Sequence, residues 1–396
     1  MRQQYYFGLD GVRFFSAMAV CIFHLAFYVW AADFATMSVI FHDRAKFDVL
    51  VPFAWSGWIG VQIFFVISGF VIAHSANGAA PAAFLRSRLL RLWPTAWVCA
   101  TITLGARLLS GEHFADLDGH YLRSLLLWPK GPWIGGVYWS LAVEVMFYAL
   151  IFILLLSRNF RRLHLFSWGL TAASTIYIIL AALRRADPAA IGSWFNAIDA
   201  QSEFFPLRHG VYFAAGIWMW MISNRSLPRS GWLGVAIAVL FGFVEIGVRA
   251  WDIQTIEAVV AARQPLLEPM LVWLLALAAI VACTRWPQFF VPRTDVGRET
   301  LKLAGKITYP LYLVHGTVGA AFIGWLIDFK TPPYLALLAG VVFVIGIATV
   351  VALYAEPIAR QPLRMALDMA ERMATGRKAL GFMFRKADTV PLNHPA

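Results

Sequence analysis

Long apolar blocks alternate with shorter polar stretches along this chain, and most of the blocks are close to 20 residues long. A helix of about that length crosses the hydrocarbon core of a membrane. The blocks predict about ten spans, at residues 9–30, 55–75, 92–109, 139–157, 165–183, 204–222, 232–250, 268–285, 307–327 and 334–355. The third and sixth blocks show the weakest pattern. We therefore expect an all-α protein, a polytopic transmembrane helical bundle.

The composition supports this class. Of the 396 residues, 60% are hydrophobic and 14% are charged, and the mean hydropathy is +0.67. A soluble domain carries about 25% charged residues, so membrane spans rather than several soluble domains account for the length. We expect one transmembrane domain over residues 1–356 and a cytoplasmic tail over 357–396. Residues 363–373 of that tail place Leu363, Leu367, Ala370 and Met373 on one helical face, which fits either an interfacial helix or a solvated tail, and disorder is expected after about residue 376.

The distribution of Lys and Arg predicts the orientation. The net charge of +11 would suit a nucleic-acid partner, but the basic residues concentrate in the segments that become cytoplasmic if the N-terminus is inside. Membrane proteins show this bias in their cytoplasmic loops. We therefore expect no nucleic-acid partner, both termini in the cytoplasm, and a multi-pass protein of the cytoplasmic (inner) membrane. Acidic outer loops with Trp and Tyr fit either sugar binding or ordinary solvated loops.

Common catalytic motifs are missing from the sequence. The three cysteines, Cys21, Cys99 and Cys283, lie in apolar segments and lack metal-ligand spacing, and we expect no metal. The sequence contains no Gly-rich phosphate loop after a strand, no HExxH, no CxxC and no GxSxG. Any chemistry must therefore come from isolated polar residues on apolar helices.

The first span holds the clearest candidates. An ionisable residue inside a membrane span is costly and is a functional-site candidate by default. Arg13 and His24 are eleven residues apart, which places them on one helix face about 16 Å apart along the axis. A neutral His24 with an acidic partner would act as a general base or would itself accept an acyl group. A buried core histidine with no catalytic role is the alternative.

Two further features carry ionisable groups. Glu144 lies in an apolar span, where a carboxylate must be protonated or paired, and His24 and Arg13 are its expected partners. Glu245 and Arg208 are expected either to form an ion pair with each other or to line the interior of the helical bundle. The basic segment with Arg86, Arg88 and Arg91 is either a positive-inside anchor or a clamp for phosphates, which guanidinium groups bind in a bidentate manner.

Six segments, in their order along the chain, resemble the acyltransferase-3 family of integral membrane O-acyltransferases. They are Leu9–Arg13 followed by His24, Gly60–Phe70, Arg86–Pro94, Trp139–Tyr148, Ile307–His315 and Ala355–Arg360. Three departures stand out. Gln62 and Val145 occupy positions where many members have an acid, and the C-terminal domain that some members carry is missing. The chain is thus expected either to complete transfer alone or to pass the group to a separate extracytoplasmic transferase.

The resemblance implies a function and roles for residues. It implies transfer of an acyl group, usually acetyl, from cytoplasmic acetyl-CoA to a hydroxyl of a cell-surface or exported carbohydrate or lipid-linked glycan. It implies that His24, Glu144 and Arg13 are catalytic, and that Arg86, Arg88 and Arg91 bind the CoA end. Two alternatives stay open from the residues alone. One is a proton-coupled transporter or flippase, and the other is the same acyl transfer onto a lipid, peptide or other non-carbohydrate acceptor.

Overall fold

The computed structural model describes residues 5–32, 36–187, 191–199, 205–254, 256, 264–375 and 383. Within these residues all regular structure is helical, which confirms the all-α class. The tail after residue 376, for which disorder is expected, lies outside the described residues except for position 383.

Twelve helices of at least thirteen residues form the described part of the chain. They are α1 (Phe7–Phe23), α2 (Gly60–Ala76), α3 (Pro81–Leu109), α4 (Phe114–Leu126), α5 (Trp139–Leu156), α6 (Leu163–Ala186), α7 (Gly210–Ser223), α8 (Gly231–Ile253), α9 (Leu267–Arg285), α10 (Asp295–Asp328), α11 (Pro333–Val350) and α12 (Glu356–Thr375). Short π-helices follow α1, at His24–Tyr28, and α11, at Val351–Ala355. Shorter helical segments, such as Thr36–Phe41 and Trp194–Asp199, lie in the connections.

Eight helical segments among the described residues are long and apolar enough to cross a membrane. Each of the ten predicted spans coincides with a helix, and the two that fail this test are the third and sixth, in α3 and α7. Helix α7 has only 14 residues, and α3 carries Arg86, Arg88 and Arg91 in its first half and Pro94 in its interior. A multi-pass helical membrane protein is confirmed, whereas the cytoplasmic location of both termini stays a prediction.

The chain divides into two compact units that alternate along the sequence. Unit 1 contains Met1–Ile63, Trp93–Ser140 and Ile246–Ala359. In unit 1, α1 packs against α10, and α10 packs against α11. Added Cβ atoms at Gly57 and Gly60 would lie 2.2 and 2.3 Å from backbone carbonyl oxygens of α1. These glycines therefore allow the start of α2 and the turn before it to lie directly on the first span.

Unit 2 contains Phe64–Leu92, Leu141–Glu245 and Arg360–Ala396. Here α2 and α7 touch through glycine, because a Cβ at Gly69 would lie 2.2 Å from the carbonyl oxygen of Phe213. The rings of Phe147 and Phe213 stack with centroids 4.2 Å apart. The expected pairing of Glu245 is confirmed, since Arg208 Nε lies 2.7 Å from Glu245 Oε1 and the Tyr212 hydroxyl also donates to this carboxylate.

Helix α12 presents a row of exposed methionines at every fourth residue: Met365, Met369 and Met373. Residues four apart lie on one face of a helix, so this is the apolar face that α12 offers to its surroundings. Of the predicted stripe, Leu363 and Leu367 are half-buried, whereas Ala370 and Met373 are exposed. The position of α12 on the inner leaflet stays a prediction.

We predict that Gly216→Ala destabilises unit 2. A Cβ at Gly216 would lie 2.0 Å from the carbonyl oxygen of Val66 and 2.7 Å from the amide nitrogen of Phe70, so α7 would have to move away from α2. Such overpacking costs about 1–3 kcal/mol, and we expect a lower midpoint of thermal unfolding for the detergent-solubilised protein.

Gly169→Ala in α6 is the matched control. A Cβ there meets no described atom within 4 Å, and alanine is favoured over glycine in a helix by about 0.5–1 kcal/mol. An unfolding midpoint for Gly216→Ala equal to that of Gly169→Ala would contradict this account of the α2–α7 contact.

Candidate active site

His24 lies where the first span changes from an α-helix to a π-helix. Helix α1 ends at Phe23, and His24 begins the π-helix that continues to Tyr28. Single π-turns inside α-helices are rare and often occur at functional sites. The imidazole is half-buried, with the Phe23 ring 5.0 Å and the Tyr28 ring 5.7 Å away between centroids. The inserted π-turn changes the direction of the side chains that follow α1.

His24 is hydrogen-bonded to a second histidine. Its Nδ1 lies 2.8 Å from Nε2 of His315 in α10, and the two ring centroids are 4.9 Å apart. His315 is fully buried, and its Nδ1 lies 3.1 Å from the backbone oxygen of Leu311, one turn earlier in α10. Both nitrogens of His315 are therefore engaged, and the pair joins the first span to α10.

A tyrosine continues the polar cluster along α10. The Tyr312 ring lies 5.8 Å from that of His315, and the Tyr312 hydroxyl is 2.7 Å from Oγ of Ser140. Both residues of this hydrogen bond are buried. Arg249 is close enough to the Tyr28 hydroxyl to act on it electrostatically. The surroundings of the histidine pair thus combine hydroxyl groups with a nearby positive charge.

Arg13 occupies the other end of the first span. It lies 3.7 Å from Asp10, one turn earlier, and Asp10 accepts a hydrogen bond from the Tyr5 hydroxyl. Burial, followed by this hydrogen bond, raises the pKa of Tyr5, so Tyr5 stays a donor at neutral pH. A Cβ at Gly305 would lie 2.5 Å from Cγ of Asp10, and this glycine of α10 therefore makes room for the Asp10 carboxylate.

Glu144 forms its own network in unit 2. Its Oε1 accepts a hydrogen bond from Ser68 Oγ at 2.7 Å and another from the Tyr148 hydroxyl. The guanidinium carbon of Arg88 lies 5.8 Å from the centre of the Tyr148 ring, within range of a cation–π contact. Arg91 also acts on Tyr148 electrostatically. The structure therefore connects Glu144 with two of the predicted CoA-binding arginines.

The three predicted phosphate-binding arginines differ in their surroundings. Arg86 forms salt bridges with Asp368 and Glu371 of α12, so two carboxylates already offset its charge. Arg88 is half-buried, and its buried Nη1 meets no hydrogen-bond acceptor among the described residues. A buried donor without a partner is costly. Arg88 is therefore better placed than Arg86 to receive an anionic ligand.

The last of the six family-like segments, Ala355–Arg360, anchors the C-terminal end of the bundle. Thr95 Oγ1 donates to Glu356 Oε2 at 2.9 Å within unit 1, and Arg360 Nε donates to the backbone oxygen of Leu90 at 3.0 Å within unit 2. These contacts hold the start of α12 against α3. We assign this signature a structural role.

The predicted site residues therefore fall into two groups. Arg13 and His24 belong to unit 1 and Glu144 to unit 2, and the expected pairing of Glu144 with His24 and Arg13 stays a prediction. Sequence reasoning did not assign roles to His315, Tyr148 or Ser68. His315 carried a usable signal, because it is a single histidine within an apolar span, the same criterion that selected His24. Within the described residues, no group of three or more His, Cys, Asp or Glu is arranged to hold a metal.

Comparison with known proteins places these residues in a family. The model of the acyltransferase-3 family, described as "Acyltransferase domain", matches residues 6–354. The chain is also 26% identical over 341 residues, 77% of this chain and 77% of its relative, to "Putative membrane-bound transacylase BcsY" of Komagataeibacter xylinus. No solved structure matches the chain.

Proposed function

The chain belongs to the acyltransferase-3 family of membrane acyltransferases, and from that premise we propose that it transfers an acetyl group from cytoplasmic acetyl-CoA to a hydroxyl of a cell-surface or exported carbohydrate. The observation that carries the proposal is the position of His24, half-buried in a span and held through Nδ1 by another histidine. A positioned imidazole of this kind suits proton removal from an alcohol. The bias of Lys and Arg supports an orientation with both termini in the cytoplasm, and we propose the cytoplasmic membrane as the location.

The proposed reaction needs one base. His24 takes the proton from the acceptor hydroxyl as the oxygen attacks the thioester carbonyl and forms the new C–O bond. The tetrahedral intermediate then collapses, the C–S bond breaks, and the CoA sulfur leaves with the proton that His24 carries. The products are an ester and CoA, and His24 returns to its neutral form. A covalent acyl-histidine is the other route that an imidazole offers.

The donor would bind along the first span. Arg13 and His24 lie about 16 Å apart on the helix axis, too far for Arg13 to touch an oxyanion that forms beside the ring. We therefore assign Arg13 to a distant part of the donor rather than to the reacting carbonyl. Arg88 and Arg91, supported by the Tyr148–Glu144 network, are proposed to bind the phosphates of CoA.

The acceptor class is supported by the segment after α4. Trp128 exposes 53% of its surface, and Asp116 and Asp118 at the other end of α4 are also exposed. This loop is one of those that the charge bias assigns to the outer face. Exposed aromatic rings and exposed carboxylates on one loop suit sugars, which stack on apolar faces and hydrogen-bond through hydroxyls.

The test of donor and acceptor uses membranes that contain the full-length protein and acetyl-labelled acetyl-CoA. We expect label to enter the polysaccharide fraction as a base-labile ester. Label found only in lipid or peptide fractions would overturn the carbohydrate acceptor. Transfer from longer acyl-CoA thioesters but not from acetyl-CoA would overturn the acetyl donor, and the absence of transfer from any acyl-CoA would overturn the donor class.

We predict that His24→Ala lowers kcat by about 10²–10⁴-fold, the contribution of a positioned general base. His113→Ala is the control, because His113 is exposed and makes no side-chain capping bond at the start of α4. Both variants should show wild-type expression and elution on size-exclusion chromatography. Wild-type turnover by a folded His24→Ala protein would rule out His24 as the base.

We also predict that the arginines contribute unequally to donor binding. Removal of a charge-assisted hydrogen bond costs about 1.5–3 kcal/mol, so Arg88→Ala with Arg91→Ala should raise the KM for acetyl-CoA by roughly 10- to 100-fold. Arg86→Ala should raise it less, because Asp368 and Glu371 already offset its charge. Equal KM values for Arg86→Ala and the double variant would contradict this ranking.

A further inference from the structure

We infer that His315 is a positioning residue that selects the reactive tautomer of His24. The inference rests on the proposed function, since it concerns how His24 acts as the base. It is carried by the hydrogen bonds of the two rings, which lie entirely within unit 1.

The tautomers follow from the chemistry of the acceptor. A backbone carbonyl oxygen only accepts hydrogen bonds, so Nδ1 of His315, 3.1 Å from the Leu311 oxygen, must carry a proton. Nε2 of neutral His315 then has a lone pair and accepts. Its partner 2.8 Å away, Nδ1 of His24, must donate. The proton of neutral His24 therefore lies on Nδ1, and the lone pair lies on Nε2.

This arrangement determines which nitrogen of His24 can remove a proton. In a neutral imidazole only the nitrogen that lacks a proton is a base, so Nε2 acts on the acceptor hydroxyl. When Nε2 takes that proton, His24 becomes an imidazolium whose Nδ1–H still donates to His315. No proton passes to His315, which acts as the aspartate does in a Ser-His-Asp triad by orienting the ring and stabilising its charged form.

The packing of the first span against α10 brings the rings together. A Cβ at Gly319 would lie 2.9 Å from Cδ2 of Leu25, so this glycine makes room for the Leu25 side chain against α10. Gly319 is four residues after His315 and thus on the same face of α10, and Leu25 follows His24. Helix α10 packs against both α1 and the π-turn that begins at His24, and this packing holds the two rings within hydrogen-bond distance.

The test compares two replacements of His315 in the full-length protein in membranes. Phenylalanine keeps the ring but has no acceptor for Nδ1–H of His24. Glutamine has an amide oxygen at a similar reach and can accept that hydrogen bond. We expect His315→Phe to lower kcat by about 10–100-fold, the range typical of losing a partner that orients a metal-ligating histidine, with the KM for acetyl-CoA unchanged. We expect His315→Gln to recover most of the loss.

A double variant separates positioning from a general structural role. If His315 acts only through His24, then His24→Ala/His315→Phe should be no less active than His24→Ala alone, since residues that act as a unit are not additive. His164→Phe, the same replacement at a half-buried histidine of α6, is the control and should keep wild-type kcat.

Three results would overturn the inference: wild-type kcat for His315→Phe, equal losses for the Phe and Gln variants, or a double variant that is clearly less active than His24→Ala. Its failure is distinguishable from that of the proposed function. A fully active His24→Ala protein overturns the base itself, whereas an inactive His24→Ala protein together with a fully active His315→Phe protein overturns only the role of His315.

Discussion

The hydrogen bond between His24 and His315 is the interaction on which the proposed chemistry depends. Two neutral rings at 2.8 Å satisfy each other where water is scarce, and neither carries a charge that would be costly to bury. Because Nδ1 of His315 donates to the carbonyl oxygen of Leu311, Nε2 of His315 must accept the hydrogen bond from Nδ1 of His24. Fully buried His315 thus determines which nitrogen of half-buried His24 carries the proton.

Two carboxylates inside the bundle are also satisfied by neighbouring side chains. Glu144 is held by the hydroxyls of Ser68 and Tyr148, and Glu245 is held by Arg208 and Tyr212. Arg88 differs, because one of its buried nitrogens meets no acceptor among the described residues. Arg86, in contrast, is paired with Asp368 and Glu371, which supports the assignment of Arg88 rather than Arg86 to the donor.

Glycines make these contacts geometrically possible. Gly57 and Gly60 let neighbouring backbone lie on α1, Gly305 makes room for Asp10, and Gly319 makes room for the Leu25 side chain. Each of these contacts lies within unit 1, which also contains the histidine pair. Close approach between helices is what small residues achieve in membrane proteins, and here it brings polar side chains of distant segments within hydrogen-bond distance.

The sequence by itself determined the all-α membrane class, the positions of the spans and the family, because apolar length and local motifs are properties of contiguous residues. It also selected His24 and Glu144, since an ionisable side chain in an apolar block is visible without a structure. The weak pattern of the third and sixth spans correctly marked the two helices that differ from the rest. Only the tertiary structure decided which polar groups meet. His24 and His315 are 291 positions apart, and no periodicity links them, because helix packing rather than chain order sets the distance between side chains of different spans.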